Sequence, residues 1–307
     1  MQFSVYQQSH IGGRRVNQDR MGYCFTRDSL LLVLADGMGG HQHGEIASTI
    51  AMQTLSMMFQ MQARPYVRKP ERFLEDALLQ AHRDILDYTT RHKLPETPRT
   101  TVVACLVQHN CAIWAHCGDS RLYWVRGDKV LAQTRDHSHV EHLISRGLAT
   151  PEERATHPDR NKLYNCLGAS KAPRIDVSSQ VILSAGDILM LCSDGLWAMV
   201  PDAEMVRALA AKPVVQAIPE LIALATSVGG PRADNTTALA ISWQGAQDED
   251  AGPDVISTGQ LPENQVSSII GSAPPGSGDA DPFDEDEIEK AIAEINEAIE
   301  KSSQVLK

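Results

Sequence analysis

Five aspartates stand where a strand-like run gives way to a turn. Asp36 closes the apolar run LLLVLA and is followed by Gly-Met-Gly-Gly, Asp194 in SDGL closes ILMLC in the same way, and Asp119 in GDSR lies between two β-like runs. Asp19 in NQD and Asp234 in ADNTT flank further runs. Taken singly, each reads as an ordinary turn acid, because Asp and Gly populate turns everywhere. Recurrence changes the reading: carboxylates that converge at one sheet edge repel one another unless cations are bound among them. Oxygen donors without a Cys/His ligand pattern favour Mg²⁺ or Mn²⁺ over zinc.

The elements that must position these acids are legible as hydrophobic periods. Alternating or continuous apolar runs predict strands over 3–8, 21–26, 30–35, 101–108, 112–117, 121–126, 129–132, 174–182, 187–192 and 237–242. Helical periods cover 45–61, 71–92, 202–211 and 214–228, the first with Ile46, Ile50, Leu55, Met58 and Met61 on one face. Tight turns such as Gly118-Asp119 and Arg126-Gly127-Asp128 imply mainly antiparallel pairing. Helices bracketed by strand meanders predict an α+β layered sandwich, with two mainly antiparallel sheets, rather than a doubly wound sheet.

The chain has 307 residues and a formal charge of -11, but the charge is unevenly placed. The 64 residues from Gln244 onward hold 15 of the 39 acids and 3 of the 28 bases, leaving 24 acids and 25 bases in the first 243. A nearly neutral body with few aromatics lacks the basic face and stacking residues of a nucleic-acid binder. Six scattered cysteines without a C-x-x-C pair read as buried reduced thiols. The N-terminal MQFSVYQQSH has no signal-peptide pattern and no apolar run reaches the length of a membrane span, so the expected location is cytoplasmic.

The ordered set RRVNQD, LADGMGGHQHGEIAS, GDSRLY, DHSHVEHLISRGLATPEE, HPDRNKLYNCLG, CSDGLW and RADNTT resembles the PPM (type 2C) family of metal-dependent protein phosphatases, bacterial type. The resemblance covers residues 1–243, read as the catalytic domain, and implies hydrolysis of phosphoserine and phosphothreonine by a metal-activated water. It makes Asp36 the carboxylate that bridges two metals and the Gly37 carbonyl a ligand of the second. By the same resemblance Asp194 and Asp234 ligate the first metal, Asp19 holds the second through water, and Asp119 shares a weaker third ion with Asp194. Arg14, five residues before Asp19, matches the arginine that receives the phosphate, with Arg15 beside it. A planar guanidinium suits a phosphate because it donates two parallel hydrogen bonds. Two ions roughly 3.5–4 Å apart activate a bridging water and stabilise in-line displacement, so no protein nucleophile is required. Many eukaryotic members carry His where this chain has Met38; a thioether donates no proton, so water is expected to protonate the leaving oxygen.

The same resemblance places a flap over 136–168, where His137, His139 and His142 form an H-x-H-x-x-H pattern. Exposed helix residues, with His137 belonging to the family motif, explain this better than a regulatory zinc site. His41 and His43 beside the metal loop could act as acid or base, and loop packing accounts for them equally well. Cys117 and Cys192, each two residues before a ligand aspartate, read as buried strand residues rather than redox switches.

Residues 244–280 are rich in Gly, Pro, Ser and acids and read as a disordered linker. Beyond them, residues 281–307 read as an acidic amphipathic tail: Asp281 and Pro282 form a helix start, and Ile288, Ile292, Ile295 and Ile299 make one apolar stripe on a helix over 283–301. Such a stripe suits a docking partner. A cognate Ser/Thr kinase is the expected opponent, and a non-catalytic pseudophosphatase scaffold is the alternative function.

Overall fold

A computed structural model of the chain describes residues 1–38, 43–150, 153–154, 157–160, 162–245, 255–259, 261 and 265–271. The chain opens with β1 (Gln2–His10), β2 (Asp19–Phe25) and β3 (Ser29–Asp36), followed by helices α1 (Gly44–Gln62) and α2 (Pro70–His92). A meander of β4 (Val102–Gln108), β5 (Cys111–Cys117), β6 (Arg121–Arg126) and β7 (Lys129–Gln133) leads into α3 (His139–Ser145). Next come β8 (Asp176–Val177), β9 (Val181–Ile182), β10 (Ile188–Cys192), α4 (Asp194–Trp197), α5 (Asp202–Ala211), α6 (Val214–Gly229) and β11 (Thr236–Gly245). Two short strands, β12 (Val255–Ser257) and β13 (Ser267–Gly271), complete the described elements.

The strands form two sheets, ordered β12-β1-β11-β10-β6-β7 and β13-β2-β3-β4-β5-β8, with β9 also paired to β5. Every described pairing between named strands is antiparallel. β3 shows why its sequence reads as an unbroken apolar run. Leu30, Leu32 and Leu34 face the layer between the sheets, while Leu31, Val33 and Ala35 face the layer beneath α1 and α2. Side chains alternate along a strand, so a strand covered on both sides must be apolar at every position. The other sheet is covered likewise by α5 and α6 over Met190, Cys192, Ala238 and Ala240. The result is helices, sheet, sheet, helices. α6, the described helix apolar and long enough to cross a membrane by composition, buries Val214, Ala217, Ile218, Leu221, Ile222 and Ala225 in this layer.

Three differences from the sequence reading have local causes. The run 174–182 is two strands rather than one, because Ser178 Oγ accepts the Trp114 N–H at 3.0 Å in place of a backbone carbonyl. The stretch 244–280 is not a linker throughout: β11 continues to Gly245, β12 pairs with β1 and β13 with β2. Burial stabilises these short pieces, since Ile256 and Leu261 pack on the inter-sheet core and Thr258 Oγ1 donates to Arg27 O at 2.6 Å. Last, α4 is a helix that periodicity over four residues does not reveal, whereas α3 carries His139 and His142 as the helix residues expected there. The tail helix expected over 283–301 lies outside the described residues.

Candidate active site

Antiparallel pairing gathers the five aspartates at one end of the sandwich. Asp19 begins β2 and Asp36 ends β3, and the two are direct partners in the ladder. β10 ends at Cys192 opposite Ala238 of β11, which brings Ser193 and Asp194 beside Asp234 and Asn235; the Ser193 N–H donates to Thr237 O at 3.0 Å. Asp119 occupies the turn between β5 and β6. Asp36, Asp119, Asp194 and Asp234 line one cavity of about 470 Å³, together with Arg14, Arg15, Gln18, Gly37, Met38 and Thr101. Asp19 stands behind Asp36, 4 % exposed, with Oδ2 accepting the Ser193 hydroxyl at 2.8 Å.

Arg14 sits on the β1–β2 loop, and its guanidinium donates to Asp234 Oδ2 at 2.6 Å. Asn235 fastens that loop: its Nδ2 donates to Ile11 O at 2.9 Å and Val16 O at 3.2 Å, and its Oδ1 accepts the Gln18 N–H at 2.9 Å. Arg15 lines the same cavity. Gly37 is pressed between two backbone segments: a Cβ there would collide with the backbone at Gly44 and Gln18, so only glycine lets position 37 pack against the start of α1.

The Asp119 turn is braced from several sides. Gly118 has φ +115 and no room for a Cβ against Thr101, so glycine is required. Trp197 Nε1 donates to Asp119 O at 2.9 Å, and Arg121 lies over the Trp197 ring at 3.6 Å. Arg121 forms a buried two-bond pair with Asp136, at 2.8 and 2.7 Å. The 136–168 segment ends at a bridge from Leu167 to Thr100, while Gly168 N–H donates to His82 Nδ1 at 3.1 Å.

The electrostatics explain what such a site requires. Loss of water raises the Asp36 carboxyl well above its usual range, and the negative charges of Asp19, Asp194, Asp119 and Asp234 raise it further. Asp119 is raised by burial and then by Asp194 and Asp136. Burial, then Asp234 and Asp19, carry Asp194 up to about 7. Burial likewise carries Asp19 up to about 6 against hydrogen bonds from Thr237 and Ser193. Among the described residues, Asp19 Oδ1 is a buried acceptor without a hydrogen-bond donor. Crowded oxygen donors and an orphaned carboxylate oxygen fit hard divalent cations, which would hold Asp19, Asp36, Asp119 and Asp194 ionised.

The H-x-H-x-x-H pattern does not converge. His137 is buried, whereas His139 and His142 lie on α3, with His139 46 % exposed and 3.9 Å from Asp159. The cysteines expected to be inert are so placed: Cys117 and Cys192 are buried, and burial pushes both thiols far up. His41 lies outside the described residues, and His43 starts α1 with its Nδ1 3.5 Å from Glu45 Oε1. Sequence reasoning missed Asn235 and Ser193, which hold the 11–18 loop and Asp19 in place, although both adjoin acids it named.

Fold and site together define a metal-dependent protein serine/threonine phosphatase. The protein phosphatase 2C family profile matches residues 6–226. The serine/threonine phosphatase stp of Listeria innocua is 32% identical over 231 residues, covering 74% of this chain and 90% of that protein. Protein phosphatase PhpP of Streptococcus pneumoniae is 32% identical over 249 residues, 78% of this chain and 96% of its own. Among solved structures, the Mycobacterium tuberculosis serine/threonine phosphatase PstP/Ppp superposes with a TM-score of 0.70 at 31% identity, covering 80% of this chain and 100% of that one. A PstP catalytic domain in complex with two manganese ions gives 0.67 at 31% identity, over 78% and 98%. The chain belongs to the protein phosphatase 2C family.

Proposed function

We propose that this chain hydrolyses phosphoserine and phosphothreonine in proteins, with Mn²⁺ or Mg²⁺ held by Asp36, Asp194 and Asp234 and by Asp19 and the Gly37 carbonyl. The observation that carries the reading is the convergence of four aspartates and Arg14 on one cavity, with Asp19 directly behind. Such ions, when bound, would activate a water and neutralise charge on the phosphoryl group. The rest is the protein's own work. Arg14 would release Asp234 and donate to the phosphate oxygens, a bidentate match that Lys cannot copy. Ser193 and Asn235 hold Asp19 and the Arg14 loop in place. Asp119 and Asp194 would share a third, weaker ion. Met38 lines the cavity and offers no proton, so water protonates the leaving serine or threonine oxygen.

An opposing Ser/Thr kinase and a cytoplasmic location belong to the same proposal, since the phosphoserine and phosphothreonine this activity removes must be made by such a kinase. The acidic tail over 281–307 is proposed as a docking ligand for a protein partner, its stripe of Ile288, Ile292, Ile295 and Ile299 lying in a groove. Turnover of a phosphothreonine peptide with Mn²⁺, loss of it in chelator, and inactivity on DNA and sugar phosphates would support the reading. No metal-dependent turnover of either the peptide or an aryl phosphate would leave only the non-catalytic scaffold.

A further inference from the structure

His137 lies where the 136–168 segment leaves the body and is 2 % exposed. Its main-chain N–H donates to Gly118 O at 2.9 Å, and the Gly118 N–H donates back to its Nδ1 at 3.2 Å. Asn165 Nδ2 reaches the same Nδ1 at 2.7 Å. Arg174 fixes which way that amide faces, because Asn165 Nδ2 donates to Arg174 O at 2.7 Å while Oδ1 accepts the Arg174 N–H at 3.0 Å. Nδ1 therefore meets two N–H donors and must offer them its lone pair. A neutral imidazole then carries its one proton on Nε2. Nε2 faces Asp176, with Oδ2 at 3.2 Å, outside good hydrogen-bond alignment.

His116, His137 and Asp176 present ligand atoms within 4.8 Å of one another, a spacing that a metal could use. The tautomer argues against it. A neutral imidazole that binds metal through Nε2 keeps its proton on Nδ1, and there it would point at the Gly118 and Asn165 donors. His116 Nε2 is 2.8 Å from Arg135 O, and the His116 ring stacks on His137 at 4.6 Å between centroids. The trio is a hydrogen-bonded wedge, and what it joins is specific. Gly118 immediately precedes Asp119, and His137 O accepts the Tyr164 N–H at 3.0 Å from the returning side of the flap. A bridge between Ser138 and Leu163 lies beside it.

We infer that His137, as the neutral tautomer protonated on Nε2, is a positioning residue that locks the Gly118–Asp119 turn to both roots of the flap and so sets where the Asp119 carboxylate stands. The inference rests on the proposed role of Asp119 as ligand of a third ion. Its tautomeric part does not. Asparagine at 137 can place an amide oxygen where Nδ1 sits, whereas glutamine reaches only the Nε2 position, so the two substitutions separate the acceptor from the bulk of the ring.

The test uses the full chain. Nitrogen NMR of the histidine rings at neutral pH should show His137 unprotonated at Nδ1 and protonated at Nε2; an Nδ1–H or an imidazolium overturns the inference. His137→Gln should retain the tight Mn²⁺ sites in calorimetry yet need about tenfold more Mn²⁺ for half-maximal turnover of a phosphothreonine peptide, matching Asp119→Ala. His137→Asn should recover most of the wild-type response. Wild-type Mn²⁺ dependence in the Gln variant, or equal defects in Asn and Gln, would refute the positioning role. Should the Gln variant fail to fold, the wild-type tautomer and the Asn variant decide. A wild-type chain that leaves the peptide intact sinks the functional reading instead, while the NMR result still judges the tautomer.

Discussion

Arg14 and Asp234, 220 positions apart in the chain, meet at 2.6 Å across the aspartate cavity. The pair has a consequence for both partners. Asp234 cannot give the same oxygen fully to a cation and to the guanidinium, so an ion bound at Asp234, as proposed, would free Arg14 to face a phosphate. Burial does not trap it, since the Arg14 side chain is 52 % exposed.

Arg14→Ala should therefore raise KM for a phosphopeptide more than it lowers kcat, with Mn²⁺ affinity undiminished. Loss of a charged hydrogen bond worth about 1.5–3 kcal/mol corresponds to roughly 10- to 100-fold in KM if ground and transition states are held alike. Arg15→Ala is the comparison. Steady-state kinetics giving Arg15 the larger defect would shift the phosphate contact by one residue.

Asp36→Asn and Asp194→Ala should each lower Mn²⁺-dependent turnover beyond the about 100-fold typical of losing an outer-shell partner, because a ligand itself is lost. Asp119→Ala should reduce activity while calorimetry still counts two tight ions. Near wild-type rates in the first two at saturating Mn²⁺ would break the ligand assignment. Loss of every bound ion in the third would move Asp119 into the primary pair.

The acid cluster was readable because each acid lies at a strand end or within two residues of one, beside apolar runs as strong as LLLVLA before Asp36 and ILMLC before Asp194. What holds those acids was harder to read. Asn235 acts through contacts with Ile11 and Val16 more than 200 positions away, which no local pattern encodes. α3 did carry a signal: Ser138 caps it by accepting the Glu141 N–H, an S-x-x-E start. β12 and β13 were missed because short strands in a Gly- and Pro-rich stretch depend on the edges of β1 and β2 that they cover.

The carboxyl shifts predict how the metal-free protein responds to pH. Asp19 and Asp194 are held at about 6 and about 7 in the folded chain, against 3.8 for the ordinary group. Between 3.8 and about 7 the folded state thus keeps protons that the unfolded chain has released, and stability falls as pH rises through that window. Asp36 and Asp119, also raised, extend the fall upward. In chelator, denaturant unfolding should show the protein less stable at pH 8 than at pH 5.5 by on the order of a few kcal/mol. Saturating Mn²⁺ should erase or invert the trend, because ions replace the protons and bind more tightly as these are released. A flat profile in chelator would show that the carboxylates are better solvated than their crowding implies.

The last prediction separates the body from the tail. A cut after Trp243 would remove the end of β11 together with β12 and β13, exposing the edges of β1 and β2 and taking Ile256 and Leu261 from the inter-sheet core. It would also remove Thr258, whose Oγ1 accepts from the N-terminal ammonium at 3.1 Å and donates to Arg27 O at 2.6 Å. That truncation should lower the melting temperature and, with it, the yield of active protein. A cut after Ala273 spares every described strand. It should leave turnover of a small aryl phosphate within about twofold, roughly 0.4 kcal/mol in barrier, while weakening capture of a native protein partner. The isoleucine stripe motivates that second clause, since an acidic solubilising tail has no need of four regularly spaced isoleucines. A large gain in small-substrate activity would instead mark the tail as an inhibitor, and unchanged capture would leave it without a docking role.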